Sequence, residues 1–264
     1  MARLCPLFSG SSGNSYYIGS QERGVLIDAG KSAKQITEKL ACCGIPLSAI
    51  EGIFVTHEHS DHVQGLRVFA GRHKIPVYGS FGTMEALNDA QILNGKFPCS
   101  VIGPEGLRCA GMEILPFHTS HDCAEGYGYL VKTADDHKVA FCTDLGVVTP
   151  EVEKMVEGAD FVVMESNHDV RMLQNGPYPY PLKRRILSSR GHLSNEACAD
   201  LLPYLAQRGT SRFLLAHLSS ENNTPELAYQ TALCSLKMAG LQEEKDFMLS
   251  VAPRDNVQGH TILF

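Results

Sequence analysis

His57-Glu58-His59-Ser60-Asp61-His62 sets three imidazoles and the Asp61 carboxylate within six residues, just after the apolar run Ile53-Phe54-Val55. An apolar triplet that empties into such a turn reads as a buried strand feeding a loop and then a helix. On that loop His57 and His59 can point the same way and clasp one divalent ion. Asp61 and His62, one turn onward, can hold a second. Imidazole nitrogen and carboxylate oxygen suit zinc, manganese or iron. A histidine-rich surface loop is the plainer alternative, but histidines seldom crowd this tightly behind a core strand without ligating something.

One loop cannot complete two coordination spheres, so further ligands belong at other strand ends. Asp144 follows Val139-Ala140-Phe141-Cys142-Thr143, and His217 follows Phe213-Leu214-Leu215-Ala216. His121 lies just beyond a strand expected to end at Phe117, with His118 as its rival for the same role. Any one of these alone reads as a capping or core-edge residue. Together with the histidine loop they place suitable donors at four strand ends, and a metal centre is the simplest reading.

The rest of the chain carries the periodicities of an α/β protein. Short strands are expected at Leu4 to Leu7, Tyr16 to Gly19 and Val25 to Asp28, with a turn-rich loop, Ser9 to Asn14, between the first two. Ala33, Ile36, Leu40 and Cys43 recur at helical spacing, and Gly44 closes that helix. Helical patterns at Val63 to Gly71, Thr83 to Asn88, Asn195 to Gln207 and Glu226 to Ala239 alternate with further strands. Those strands are Pro76 to Gly79, Ile114 to Phe117, Gly128 to Thr133, Val139 to Thr143, Asp160 to Glu165 and Phe213 to Ala216. The mixture argues for layered sheets covered by helices. Nothing divides the chain into two cores, so a single domain over 1–264 is expected. Asn175 to Arg190, with Pro177, Pro179 and Pro181 beside two tyrosines, reads as an irregular insertion over the site.

With 264 residues, 44% of them hydrophobic, the chain can bury a core without staples. Lys and Arg number 23 against 29 for Asp and Glu, a formal charge of -6. That balance opposes a broad basic face, though not a local groove beside metal ions. Nine cysteines show no CxxC spacing, and Cys42 abuts Cys43, the pattern of free thiols in a reducing compartment. The start Met1-Ala2-Arg3-Leu4-Cys5-Pro6 lacks a signal-peptide core, and no apolar run approaches the roughly 18 residues of a membrane span. A soluble cytoplasmic protein is expected.

His57-x-His59-x-Asp61-His62 resembles the signature of the metallo-β-lactamase superfamily. Asp28 in Leu26-Ile27-Asp28-Ala29-Gly30 is similar to its first motif, His121 to its third, Asp144 to its fourth and His217 to its fifth. The resemblance implies a four-layer αββα sandwich with two divalent ions at the strand ends. By it, His57, His59 and His121 hold one ion, Asp61, His62 and His217 hold the other, and Asp144 bridges them. Asp28 stands behind the ligands and orients the loop, since a ligating histidine needs its other nitrogen tied down. Zinc or manganese would serve, with iron a third option.

The superfamily holds lactamases, thioesterases, lactonases, oxygen reductases and nucleases, so the fold names no substrate. Finer features turn the reading toward phosphodiesters. In Ser9-Gly10-Ser11-Ser12-Gly13-Asn14-Ser15, Ser12 and Asn14 offer groups that can grip phosphate oxygens, although an ordinary turn accounts for the loop equally well. Gly191-His192-Leu193-Ser194-Asn195-Glu196-Ala197 resembles a histidine motif of the nuclease branch, which includes ribonuclease Z, and makes His192 a candidate general acid. Asp61 is the other catalytic candidate, as guide of the attacking water. Lys183, Arg184 and Arg185 form a basic run that a polyanion could follow, with a solvated helix face as the alternative. Asn167 and His168, past the strand ending at Glu165, are candidate substrate contacts.

The serine-glycine loop, Glu165-Ser166-Asn167-His168-Asp169, the His192 segment and His217-Leu218-Ser219-Ser220-Glu221-Asn222-Asn223 together resemble the YycJ (WalJ) family of bacterial metal-dependent hydrolases. The resemblance implies 5′-to-3′ exonuclease action on double-stranded DNA and a part in DNA repair. It also implies genes that often adjoin a cell-wall two-component system. DNA is thus the first expected partner and RNA the second. Two other classes stay open. A thioesterase or lactonase like glyoxalase II would share the metal centre. A non-catalytic regulator in cell-wall signalling would have no need of an open one.

Overall fold

In the computed structural model, which describes residues 1–264, the chain forms two compact units. The first comprises Met1–Pro116, Cys123–His137 and Pro253–Phe264, and the second Phe117–Asp122 and Lys138–Ala252. Fourteen strands fall into two seven-stranded mixed sheets, accompanied by nine α-helices. No helix is long and apolar enough to cross a membrane.

In the first unit β1 (Arg3–Phe8), β2 (Ser15–Gly19), β3 (Gly24–Ile27), β4 (Ile50–Phe54), β5 (Val77–Gly79) and β6 (Cys99–Val101) lie side by side in that order. The first three pair antiparallel, and β3 to β6 run parallel. Parallel neighbours need crossovers. These are α1 (Ala33–Cys42), then α2 (Ser60–Val63) with α3 (Leu66–His73), then α4 (Phe81–Asp89). Ser32 and Gln35 form a capping box on α1, which buries Ala33, Ile36 and Leu40 and ends, as its spacing predicts, before Gly44 at φ 67. Leu26, Ile53, Val55, Leu66 and Phe69 join that face in the core. The helix expected over Val63 to Gly71 is instead split at Gly65. There the backbone N–H donates to Ala29 O at 2.9 Å, and a Cβ would stand 2.0 Å from Lys31 O. β7 (Leu107–Cys109) pairs antiparallel with β8 (Met112–His118), and β9 (Tyr127–Lys132) follows.

In the second unit β10 (Lys138–Cys142), β11 (Phe161–Glu165), β12 (Arg212–Ala216) and β13 (Met248–Val251) form a parallel run in that order. The centres of β10 to β12 are continuous apolar runs, buried throughout, as strands covered on both faces must be. The helices are α5 (Pro150–Val156), α6 (Val170–Asn175), α7 (Tyr180–Ile186), α8 (Asn195–Gln207) and α9 (Pro225–Met238). α8 has the bounds its sequence predicts, with Ser194 Oγ accepting from Ala197 N. Asn175 to Arg190 corrects its expectation, because it contains α7. Its prolines sit where a helix tolerates them, Pro179 at the cap and Pro181 in the first turn, so they start the helix instead of breaking it. The chain closes with β14 (Ile262–Leu263), antiparallel to β1 in the first unit.

Three strand ends turn through left-handed backbone. Asp28 follows β3 at φ 63, Asp144 lies beyond β10 at φ 59, and His217 follows β12 at φ 53. Such conformations cost roughly 1–3 kcal/mol each in a residue with a side chain and collect where function holds them.

Candidate metal centre

In the first unit β4 delivers His57 through Val55 and Thr56. His57 and His62 are buried, and His59 and Asp61 are half-buried. The His57 ring centroid lies 4.5 Å from that of His59 and 4.1 Å from that of His62. Behind them the buried Asp28 carboxylate accepts from Thr56 N and Thr56 Oγ1, both at 2.8 Å, and lies 2.7 Å from His62 Nδ1. Burial pushes the Asp28 carboxyl above its ordinary pKa, while His62 and Thr56 hold it back. Asn14 is buried as well. Its N–H donates to Asp61 O at 2.7 Å, and its Nδ2 lies 3.1 Å from His62 Nε2 and 3.4 Å from Asp61 Oδ2. The serine-glycine loop therefore braces the histidine loop through Asn14, whereas Ser12 is exposed.

In the second unit Asp144, Glu165, His192 and His217 bring one ligand-capable atom each within 4.8 Å of one another. Glu165 ends β11 wholly buried. Its Oε2 accepts from Leu145 N at 2.7 Å and Leu193 N at 3.1 Å, and its Oε1 lies 2.8 Å from His192 Nδ1 and 2.9 Å from His217 Nδ1. Asp144 Oδ1 lies 3.2 Å from His217 Nδ1 and 3.8 Å from His121 Nε2. His121 is the buried one of the two third-motif rivals, with Nδ1 2.8 Å from Gly191 O; His118 is exposed. Burial lowers the His121 pKa despite Asp144, which favours the neutral imidazole a metal requires.

These residues suit divalent ions. His62, His121 and His217 each have Nδ1 against a fixed acceptor, respectively Asp28, Gly191 O and Glu165. That arrangement fixes the ring and leaves Nε2 as the donor. Carboxylate and imidazole together make a borderline donor set that takes zinc, manganese or iron.

Most of the remaining expected residues are buried or already engaged within the protein. Asn167 donates through Nδ2 to His217 O at 2.8 Å and braces that strand end. His168 is buried with neither ring nitrogen hydrogen-bonded, and burial takes its pKa down to about 4. On α7, Lys183 donates to Gln174 O at 2.8 Å, Arg184 is exposed, and Arg185 forms a two-armed ion pair with Asp122. Sequence reasoning overlooked Glu165 as a site residue, although an acidic residue closing the apolar run Phe161-Val162-Val163-Met164 is the same signal that marks Asp144. It overlooked Asp122 and Thr56 too, for which no local pattern speaks.

Residues 23–218 match the family described as "Beta-lactamase superfamily domain". Over 245 residues the chain is 38% identical to exodeoxyribonuclease YycJ of Bacillus anthracis, covering 91% of this chain and 89% of that protein. It is equally identical, at 38%, to exodeoxyribonuclease WalJ of Streptococcus pneumoniae, covering 91% and 90%. Among solved structures, the metallo-β-lactamase fold protein YhfI of Bacillus subtilis aligns with a TM-score of 0.71 at 16% identity, over 99% of this chain and 98% of that one. That likeness bears out the fold expected from the histidine motif.

Proposed function

Because the chain belongs to the β-lactamase superfamily domain family, we propose that it is a metal-dependent exodeoxyribonuclease that shortens duplex DNA from a 5′ end. The observation that carries the reading is that His62, His121 and His217 each have Nδ1 against a fixed acceptor, Asp28, Gly191 O and Glu165 respectively, in a relative of proteins named exodeoxyribonuclease.

On the sequence pattern, His57, His59, Asp61, His62, His121, Asp144 and His217 would hold two divalent ions, zinc or manganese. When bound, such ions polarise phosphate oxygens and lower the pKa of nearby water toward neutrality. His192 is fixed through Nδ1 by Glu165, as a general acid is in a triad-like pair, so its other nitrogen is the one that gives a proton to the leaving oxygen. Asp61 orients the attacking water. Ser12, Arg184 and Arg185 are the exposed members of the expected phosphate contacts, with Arg185 paired to Asp122. All nine cysteines are free thiols, which supports a reducing cytoplasm as the working compartment.

The test offers purified protein, with added manganese or zinc, three substrates: 5′-phosphorylated duplex DNA, bis-p-nitrophenyl phosphate and S-lactoylglutathione. Metal-dependent loss of nucleotides from the 5′ end is expected. Brisk thioester hydrolysis with the DNA ends left intact and the phosphate diester uncut would replace the nuclease reading by a glyoxalase-like one.

A further inference from the structure

Four contacts inside the second unit tie the loop Ser120–Asp122 to the last turn of α7 and the turn that follows it. Arg185 grips both oxygens of Asp122. Arg190 donates from Nε and Nη2 to His121 O at 3.2 and 3.1 Å. Ser120 Oγ donates to Ser189 O at 2.6 Å, and His121 Nδ1 lies 2.8 Å from Gly191 O. The turn and the loop also fit against Gly146, where a Cβ would come 2.2 Å from Ser189 O and whose N–H donates to Ser120 O at 2.6 Å.

From this clamp we infer that Arg185 and Arg190 are positioning residues that hold His121 in place to bind metal. The inference rests on the reading of His121 as a ligand. A lone exposed ion pair is worth little. Here, however, three consecutive residues are each gripped by the short stretch from Arg185 at the end of α7 to Gly191, and the Arg185 pair is two-armed. A planar fork can meet both carboxylate oxygens at once, which a lysine ammonium cannot. The pairing also governs what Asp122 does. Its Oδ1 lies 3.4 Å from His121 Nε2, so a carboxylate released from Arg185 would compete for that nitrogen. Arg185 therefore acts on the metal centre through Asp122, and not by contacting a phosphate.

The experiment measures zinc and manganese retention against a competing chelator, with direct metal analysis, for the wild type and five variants. These are His121→Ala, Asp122→Asn, Arg185→Gln, Arg185→Lys and Arg190→Gln, joined by the double variant Asp122→Asn/Arg185→Gln. Loss of a supporting contact of this kind weakens retention by about tenfold or more. Arg185→Gln and Arg190→Gln should each show that loss, Arg185→Lys should fall between Arg185→Gln and the wild type, and the double variant should be no worse than its worse single. The salt dependence of DNA binding should not change in Arg185→Gln. Wild-type retention in Arg185→Gln and Arg190→Gln, with an ion lost from His121→Ala, overturns the clamp. So do fully additive losses in the double variant. Full retention in His121→Ala instead overturns the ligand reading beneath it.

Discussion

Glu165 Oε1 stands 2.8 Å from His192 Nδ1, with the carboxylate sealed from solvent. The same oxygen lies 2.9 Å from His217 Nδ1, so one buried charge sets the tautomer of both an expected acid and an expected ligand. Burial alone would raise the Glu165 pKa, but the charge of His192 and hydrogen bonds from His192 and His217 outweigh it and hold the group at about 2. Glu165→Gln keeps the volume and removes that charge. Metal retention should fall by about 10–100-fold and turnover with it, as read by chelator competition and a diester assay. A variant that keeps its metal and its rate would show that neither ring depends on this carboxylate.

Asp144 sits in left-handed backbone with Oδ1 3.2 Å from His217 Nδ1 and 3.8 Å from His121 Nε2. The proposed role of this carboxylate is to serve two ions, and a residue held at such conformational cost is a candidate for a functional part. Saturated protein should carry about two divalent ions per chain by elemental analysis, and Asp144→Ala should lose most of both. Saturation of the wild type at a single ion would remove the bridging role.

Gly30, in the first unit, has no room for a side chain. Its N–H donates to Asn14 O at 2.8 Å, and a Cβ would lie 1.7 Å from Asp61 O. Gly30→Ala must push the Asp61 segment away from Asn14. Urea unfolding should show destabilisation of about 2 kcal/mol or more, accompanied by weaker metal binding. An unchanged midpoint would mean that the histidine loop yields freely and owes its shape to something else.

His168 gives a pH signature. Its pKa in the fold, about 4, lies below the ordinary 6.5 because burial disfavours the charged ring. The unfolded chain therefore takes up the proton first as pH falls. The stability tied to this group is intact above pH 6.5, declines between 6.5 and about 4, and levels off below. The decline is at most about 1.4 kcal/mol per pH unit. His168→Leu should flatten the thermal-melting curve across that window relative to wild type. Identical pH dependence in both proteins would show that His168 charges as easily folded as unfolded.

Part of the candidate site is legible in sequence because three of the expected ligands follow apolar runs. Ile53-Phe54-Val55, the run ending at Cys142 and Thr143, and the run ending at Ala216 announce His57, Asp144 and His217 without any partner being known. The bounds of α8 follow for the same local reason, Ser194 before a helical pattern. What stays hidden is pairing at a distance. Asp122 and Arg185 meet across 63 positions, and Glu165 reaches His217 across 52. No periodicity records such contacts. Asn14 reads as a phosphate-gripping loop residue because the sequence shows its type, and only the fold shows that its amide faces His62 and Asp61. α7 is obscured by prolines whose effect depends on whether they fall before or inside a helix.

The basic run on α7 makes the last prediction, because its three members are not equivalent. A formal charge of -6 opposes coating of DNA, so any duplex binding has to come from a few cations near the proposed metal ligands. Arg185 is already neutralised by Asp122, and an arginine so engaged releases few counterions on binding. Arg184 is exposed, and Lys183 is held only by a backbone carbonyl, an acceptor it can exchange for a phosphate. Replacing Lys183 and Arg184 together by glutamine should therefore flatten the log–log salt dependence of duplex binding by roughly 1.8, about 0.9 for each lost phosphate contact. Adding Arg185→Gln should flatten it no further. Hydrolysis of bis-p-nitrophenyl phosphate should survive the double change, since so small a diester needs the metals and not the track. A slope that drops by a third step on loss of Arg185 would mean that DNA pulls this arginine off Asp122. The loop carrying His121 would then be remodelled by the substrate itself.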